Sequence, residues 1–243
     1  MRRRRRDNKA MTHLDSSGGQ TLQDTLDAIT ANTRKLVQPA RLAVSERATE
    51  ALFATGIEDR VLKPGSIAPE FALIDARTRR PVRSSDLLAL GPVVVKFFRG
   101  RWCPYCVTEL ERWRELVPAV RERGAVLVAI SPQTVRHNEF MVQQHALGFP
   151  LLADPGASVA EAFGVAYTVP PACRSYSRSI LVNIPYNNAG LNYQTATEES
   201  WRLPLPAAFV IGRDGRIAFA EAHADFRVRP EPEDVLAVLD ELG

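Results

Sequence analysis

The sequence predicts an α/β fold in which a mixed β-sheet is flanked by helices and preceded by an N-terminal helical arm. Two nearly continuous apolar runs, residues 93–98 and 125–130, are typical of parallel strands buried on both faces. Between them, apolar side chains recur at offsets of four and three residues from Cys106 to Val120, which indicates one core-facing helix. Two short strands and a helix follow near the C-terminal end, so the order of elements favours a mixed sheet.

The first 61 residues differ in composition from the rest. Residues 1–20 are charged and then rich in Ser and Gly, and we expect them to form a disordered basic leader. Over residues 21–61, apolar residues at helical spacing predict two helices that are separated near Pro39. This helical arm must dock its apolar face on the main domain, residues 62–243, or on a partner subunit.

The elements of the main domain can be placed by periodicity and by turn residues. We expect Gly124 to end the long helix, Pro118 to kink it, and Ser84 to cap a short helix. An insertion at about residues 168–203 contains several prolines and is predicted to be irregular, as a lid or contact surface. The predicted strands are residues 71–74, 93–98, 125–130, 150–152, 209–211 and 217–220, and the remaining predicted helices are residues 134–147, 157–163 and 232–242.

Charge and hydropathy exclude some function classes. The formal net charge is +3, but Arg2 to Arg6 supply five positive charges; without them 26 basic residues face 28 acidic ones, a balance of −2. The body of the protein therefore offers no electrostatic case for binding nucleic acid. We also expect no membrane span and no secretory signal, because no long apolar stretch is present and polar residues follow the arginines. A cytoplasmic location is the expectation.

Two of the three cysteines carry the chemistry that the sequence predicts. Cys103 and Cys106 lie where a buried strand passes into a helix, about one helical turn apart. A thiol at a helix N-terminus is stabilised as thiolate by free backbone N–H groups and by the helix dipole. A second thiol three residues on can close a disulfide with it. Cys173 lies in the insertion and is interpreted as an incidental thiol.

Metal capture by Cys103 and Cys106 is a remote alternative. Structural zinc sites usually need four ligands, often from two close pairs. Cys173 and the four scattered histidines supply no second pair, so no metal is predicted.

Four stretches in a definite order carry a family resemblance. They are residues 65–73 (GSIAPEFAL), 102–106 (WCPYC), 148–155 with 159–165 (GFPLLADP and VAEAFGV), and 205–211 (LPAAFVI). Together they resemble the thioredoxin superfamily, in its peroxiredoxin-like branch of alkyl hydroperoxide reductase and thiol-specific antioxidant proteins. The resemblance covers about residues 62–242 and implies a thioredoxin-like fold. It also implies that Pro206 is a cis-proline facing the active site.

The active-site residues depart from the typical peroxiredoxin pattern. Lys96 stands where that family has a proline, Gly100 where it has a threonine, and Pro206 where it has an arginine. Two groups that orient and polarise a peroxide are therefore absent. Arg99 or Arg101 is the candidate replacement for the missing charge.

The resemblance and the thiol pair together predict a thiol-dependent peroxidase. Cys103 would be the nucleophile and Cys106 the resolving cysteine, with Trp102, Pro104, Pro206, Arg99 and Arg101 shaping the site. The substrate would be hydrogen peroxide or an organic hydroperoxide, and the reductant a thioredoxin-type protein or glutathione. No cofactor is needed, and the apolar arm would allow a homodimer. The alternative is a thioredoxin-like protein disulfide oxidoreductase, which the WCPYC motif and the missing threonine and arginine favour.

Overall fold

The computed structural model describes residues 20–243. Within them a seven-stranded mixed sheet has the order β2-β1-β5-β4-β3-β8-β9, and a separate two-stranded sheet pairs β6 with β7. The strands β3, β4 and β5 run parallel, and the other pairs are antiparallel. The strands are β1 Ala72–Asp75, β2 Pro81–Arg83, β3 Val93–Phe97, β4 Val126–Ser131, β5 Leu151–Ala153, β6 Ala166–Thr168, β7 Arg202–Pro204, β8 Ala207–Ile211 and β9 Ile217–Ala222.

Helices cover both faces of the large sheet, which confirms the predicted thioredoxin-like fold class. They are α1 Leu22–Leu36, α2 Pro39–Ala54, α3 Ser84–Leu90, α4 Pro104–Glu122, α5 Val135–His145, α6 Ser158–Ala162, α7 Pro171–Ser179, α8 Ile184–Ala189 and α9 Pro232–Leu242. Short 3₁₀ turns occupy Ile57–Arg60, Pro155–Ala157 and Glu199–Trp201. No helix within residues 20–243 combines the length and the apolar character that crossing a bilayer requires.

The alternation of side chains along the parallel strands divides the core into two layers. Val94 points into the layer that holds α1, α4, α5 and α9, whereas Val95 and Phe97 point into the layer beneath α3 and α6. Phe97, Phe163 and Phe209 form an aromatic cluster in the second layer, with ring centroids 5.0–5.9 Å apart. The first layer contains both Cys103 and Cys106.

The two helices before the main domain pack against it. Leu22 and Leu26 of α1 are buried in the layer that contains α4, and Tyr105 of α4 shares a 3.0 Å hydrogen bond with Thr30 of α1. Helix α2 packs against α7 of the insertion. The break between α1 and α2 precedes Pro39, which is the first residue of α2, where a proline without an N–H is tolerated.

Three local predictions are wrong. The insertion is ordered by α7 and α8, each of which has proline in its first turn. Ser84 does not cap α3, because its hydroxyl accepts the backbone N–H of Phe71 at 3.0 Å; Arg83 is the N-cap residue instead. The peptide bond before Pro206 is trans, as are all peptide bonds in the described residues, and trans is the ordinary geometry of such bonds.

Candidate active site

Cys103 lies at the junction between strand β3 and helix α4. It is the N-cap residue of α4, and Pro104 occupies the first helical position. The backbone N–H of Cys103 donates to the Gly100 carbonyl at 3.1 Å, and that of Cys106 donates to the Cys103 carbonyl at 3.0 Å. These bonds hold the first thiol at the positive end of the helix dipole, one turn from the second. The predicted strand-to-helix position of the thiol pair is therefore correct.

The two buried thiols have opposite acid–base character. Burial alone would raise the pKa of Cys103, but hydrogen bonds from the thiol and backbone N–H of Cys106 and the positive charges of Arg99 and Arg229 lower it to about 6. Burial, together with the adjacent Cys103, raises the pKa of Cys106 well above its ordinary value. Near neutral pH the pair therefore holds one thiolate, Cys103, and one thiol that donates to it.

Arg99 contributes positive charge beside the thiols. Its guanidinium carbon lies 4.3 Å from the ring centroid of Phe226 and 4.9 Å from that of Trp102, so the two aromatic rings fix it beside the thiols. The Nε of Arg99 and the Nε1 of Trp102 are buried without a hydrogen-bond partner in the protein. Buried donors are almost always paired, so two unpartnered N–H groups on neighbouring residues are unusual.

Gly100 is required by the position of Trp102. A Cβ at residue 100 would lie 2.6 Å from Trp102 Nε1 and 3.1 Å from Gln133 Oε1, and the backbone φ of +151° also disfavours a side chain. Gly100 is the position at which the resembled family has threonine. The indole of Trp102 therefore occupies the space into which a threonine side chain would project.

A buried charge cluster lies behind the thiols. Glu109, on α4, contacts Lys96 Nζ at 2.6 Å through Oε1 and Arg229 Nε at 2.8 Å through Oε2. Arg229 Nη2 lies 3.5 Å from the Cys106 sulfur. All three charged side chains are at most 1% exposed. Burial lowers the pKa of Lys96, and within this cluster it is the positive charge of Arg229 that favours a thiolate at Cys103.

Arg229→Met is expected to raise the pKa of Cys103, because it removes one of the two cations that lower it. The free energy of unfolding should fall by only about 1–3 kcal/mol. The reason is that Glu109 keeps Lys96 as its partner, so no unpaired charge is left buried. Glu109→Gln should cost more, about 3–5 kcal/mol, because it leaves two buried cations unpaired. Thiolate absorbance against pH and urea unfolding measure the two effects.

Arg213→Met is the matched control, because Arg213 is exposed in the turn between β8 and β9. It should change the free energy of unfolding by less than about 0.5 kcal/mol. An unchanged Cys103 pKa in Arg229→Met would contradict the role of Arg229.

Cys103 lies in the wall of a cavity of about 350 Å³, which we call the active-site chamber. The chamber is lined by α1, α2, the active-site loop, the segment that contains α7, and the loop after β9, and it is partly open to solvent. Most of its lining is apolar, including Leu42, Leu52, Ile180 and Val182. Arg99, Trp102 and Cys103 lie together in its wall.

The structure separates the two candidate arginines. Arg99 lines the active-site chamber, whereas Arg101 is exposed and its guanidinium lies 5.7 Å from the Phe140 ring. Pro206 is buried immediately before β8 and does not line the chamber. Cys173 does line it, from α7, and burial raises the pKa of its thiol.

Two residues at the site could not be predicted from the sequence. Arg229 and Phe226 come from the loop before α9, more than 120 residues after Cys103, and no motif marks them. In the same loop, His223, Asp225 and Arg227 are only partly exposed, and Arg227 lines the chamber. Within residues 20–243, no three His, Cys, Asp or Glu side chains cluster as a metal site requires.

Comparison with known proteins decides the family. Residues 64–220 match the model of the AhpC/TSA family, which is more than half of the chain. The chain belongs to the AhpC/TSA family. It is therefore a peroxiredoxin-like member of the thioredoxin superfamily, as the four sequence stretches predicted. The match does not include the helices α1 and α2 or the loop that carries Phe226 and Arg229.

Individual relatives of this AhpC/TSA protein fall into two groups. "Putative peroxiredoxin Rv1608c" of Mycobacterium tuberculosis is 36% identical over 104 residues, which are 43% of this chain and 67% of the relative. Thiol-disulfide oxidoreductase ResA of Bacillus cereus is 23% identical over 161 residues, which are 66% of this chain and 70% of the relative. The crystal structure of Peroxidoxin BcpB from M. tuberculosis superposes with a TM-score of 0.56 at 26% identity, covering 75% of this chain and 99% of that one.

Proposed function

We propose that this AhpC/TSA protein is a thiol peroxidase in which Cys103 attacks the peroxide and Cys106 resolves the product. The observation that carries the proposal is the arrangement around Cys103: a thiol of lowered pKa in the wall of a chamber, with the positive charge of Arg99 in the same wall. A peroxide needs a thiolate to attack one oxygen and hydrogen-bond donors to stabilise the other as it leaves.

The chemistry proceeds in two steps. The Cys103 thiolate forms an S–O bond with the terminal peroxide oxygen while the O–O bond breaks, which oxidises the sulfur by two electrons to a sulfenic acid. The other oxygen leaves as hydroxide or alkoxide, is stabilised by the positive charge of Arg99, and takes up a proton to give water or an alcohol. The Cys106 thiol then attacks the sulfenic acid, forming a disulfide and releasing water.

Reduction of the disulfide completes the cycle. A thioredoxin-type protein or glutathione supplies two electrons by thiol–disulfide exchange and returns both cysteines to the reduced state. A homodimer and a cytoplasmic location remain predictions. The exposed Leu36 and Phe53 on the arm are candidate contacts for the dimer.

A thiol–disulfide oxidoreductase is the second candidate. The match to ResA and the Trp102-Cys103-Pro104-Tyr105-Cys106 motif favour it. A protein disulfide would have to reach Cys103, which is only 2% exposed and lies in the wall of the active-site chamber. This burial favours a small substrate over a protein, and for that reason we rank the peroxidase first.

Stopped-flow fluorescence of the reduced protein distinguishes the two candidates. Trp102 lies next to Cys103 and should report its oxidation by hydrogen peroxide or cumene hydroperoxide. A second-order rate constant far above that of a free thiol would support the peroxidase. A rate constant no higher than that, together with rapid reduction of insulin disulfides, would instead establish the oxidoreductase.

The rate of peroxide reaction should depend on pH through the Cys103 thiol. Because its pKa is lowered to about 6, the rate constant should be nearly constant above pH 7 and fall about tenfold for each pH unit well below 6. Stopped-flow measurements between about pH 4.5 and 8.5 test this. A midpoint near the ordinary thiol value of about 8.5 would contradict the proposed activation of Cys103.

A further inference from the structure

We propose that Arg229 is a catalytic residue that activates Cys106 for disulfide formation once Cys103 has been oxidised. The inference rests on the proposed function, to which it adds a residue and the order in which the two cysteines become reactive. Cys106 carries the sulfur that must attack, and Arg229 is the cation in contact with that sulfur.

The contact between Arg229 and Cys106 is direct and lies in the protein interior. The Nη2 of Arg229 donates to the Cys106 sulfur at 3.5 Å, and both residues are buried. Solvent screens a charge only weakly in such surroundings, so the guanidinium acts on the sulfur more strongly than an exposed arginine would. A negative charge on the Cys106 sulfur is therefore stabilised at this place.

The other donors of Arg229 are occupied, which holds the guanidinium in position. Its Nε donates to Oε2 of Glu109 at 2.8 Å, and its Nη1 donates to two backbone carbonyls of its own loop. Glu109 is held in turn by Lys96 through its other oxygen. Because a guanidinium presents its N–H groups in a rigid fork, these contacts leave Nη2 for the Cys106 sulfur.

Arg229 lies outside the segment that matches the family. The match ends at residue 220, and Arg229 follows in the loop between β9 and α9. The active-site turn of this protein therefore receives a buried cation from a part of the chain that the family model does not include.

The charge of Cys103 controls whether Cys106 can ionise. In the reduced protein, burial and then the neighbouring Cys103 raise the pKa of Cys106, whereas Arg229 and Arg99 lower it. Oxidation of Cys103 to a sulfenic acid, or its conversion to a mixed disulfide, removes the negative charge of its thiolate. One cause of the high pKa of Cys106 is then gone while both arginines remain, so Cys106 ionises more readily after the oxidation than before it.

The step balances in protons and electrons. The Cys106 thiol loses its proton to solvent, and the thiolate attacks the Cys103 sulfur, so that an S–S bond forms as the S–O bond of the sulfenic acid breaks. The departing hydroxide takes up a proton and leaves as water. The sulfenic acid is the oxidant of the Cys106 sulfur, so no other is needed. Arg229 keeps its protons throughout and acts by its charge and its hydrogen bond.

The attack by Cys106 can be measured without a peroxide. In a Cys173→Ser background, 2,2′-dithiodipyridine converts Cys103 to a mixed disulfide and releases one equivalent of 2-thiopyridone. Cys106 then attacks the Cys103 sulfur of this mixed disulfide and releases a second equivalent. Stopped-flow absorbance gives the rate constant of this second phase as a function of pH, and the second phase should be absent in Cys106→Ser.

Arg229→Met should slow the second phase near pH 7 by about three- to thirtyfold. Removing an opposite charge from beside an ionised group raises its pKa by about one to three pH units, and each unit lowers the thiolate fraction about tenfold. A thiolate of higher pKa is a better nucleophile, which offsets about threefold of each tenfold loss. The midpoint of the pH profile should therefore rise by about one pH unit or more, while the high-pH plateau should be no lower than that of the wild type.

The high-pH plateau distinguishes activation of Cys106 from a purely structural role of Arg229. A variant that only displaced the two sulfur atoms would slow the second phase at every pH. Arg213→Met, the exposed control, should leave both midpoint and plateau unchanged. Arg229→Lys keeps a charge but not the fork, so its midpoint should lie between those of the wild type and Arg229→Met. This variant carries the test if Arg229→Met does not fold.

The outcomes separate the inference from the proposed function. The role of Arg229 would be overturned by an unchanged midpoint in its folded variants, by equal slowing at every pH, or by a second phase that persists in Cys106→Ser. A wild type that reduces peroxides no faster than a free thiol would reject the peroxidase. In that case a raised midpoint in Arg229→Met would still establish that Arg229 activates Cys106.

Discussion

Replacing Cys103 with serine is expected to abolish the reaction with peroxides, with a fall in rate constant of roughly 10³-fold or more. A serine hydroxyl is not ionised near neutral pH, so the surrounding positive charge cannot activate it as it activates a thiol. The neighbouring Cys106 cannot take over, because burial and the adjacent thiolate keep its pKa well above the ordinary value. Stopped-flow fluorescence with hydrogen peroxide and cumene hydroperoxide measures the loss.

The other two cysteines are the controls for this result. Cys106→Ser should keep the first oxidation within about tenfold of the wild type, since a hydroxyl can still donate a hydrogen bond to the Cys103 thiolate. It should not form the intramolecular disulfide. Cys173→Ser should behave as the wild type, because burial raises the pKa of Cys173 and it stays protonated. Loss of peroxide reactivity in Cys173→Ser but not in Cys103→Ser would reverse the assignment of the nucleophile.

Arg99→Met should give the second largest effect, a decrease of about 10²-fold in the rate constant for peroxides. The substitution removes a positive charge that lowers the pKa of Cys103, and it removes the unpartnered Nε–H donor. Repeating the measurement at a pH where Cys103 is fully ionised separates the two contributions. The decrease in rate constant that remains at high pH measures the contribution of the lost hydrogen-bond donor.

Arg101→Met is the matched control for Arg99→Met. Arg101 is two residues away on the same loop, but its side chain is exposed and lies against Phe140. Its rate constants should stay within about twofold of the wild type. Arg99→Lys should recover part of the charge effect but not the stacked guanidinium between Trp102 and Phe226. Equal losses in Arg99→Met and Arg101→Met would contradict the specific role of Arg99.

The thiol pair could be placed from the sequence because its position depends on local patterns. Residues 93–98 are apolar except for Lys96 because β3 is covered on both faces, and the stripe from Cys106 to Val120 is the buried face of α4. Gly124, with φ of +64°, follows the end of this helix as predicted. These features depend on neighbours within about one turn or one strand, which is the distance over which sequence periodicity is informative.

The residues that change the pKa values of the two thiols could not be located from local sequence patterns. Arg229 reaches Cys106 from 123 residues away in the sequence, through a loop that has no periodicity. Lys96 was recognised only as a departure from the family pattern, although its partner Glu109 lies in the predicted helix. An ion pair between a strand and a helix depends on their packing, which neither pattern specifies.

The two helices of the insertion could have been predicted from helix-start residues in the sequence. Pro171 and Pro185 lie in the first turns of α7 and α8, and Asn183 caps α8 by accepting the backbone N–H of Tyr186 at 3.1 Å. Proline at the start of a helix and asparagine at the N-cap are helix-start signals. Because the prolines were interpreted only as helix breakers, this helical part of the chamber wall was predicted to be irregular.

The central claim is that Cys103 is oxidised first and that Cys106 then joins it in a disulfide. Mass spectrometry of the reduced protein after one equivalent of peroxide tests this most directly. In Cys106→Ser we predict a single added oxygen on the peptide that contains Cys103, trapped by dimedone. In the wild type we predict the loss of two hydrogens and a Cys103–Cys106 disulfide. An oxygen found on Cys173 or Cys106 instead, or a disulfide that includes Cys173, would contradict the account.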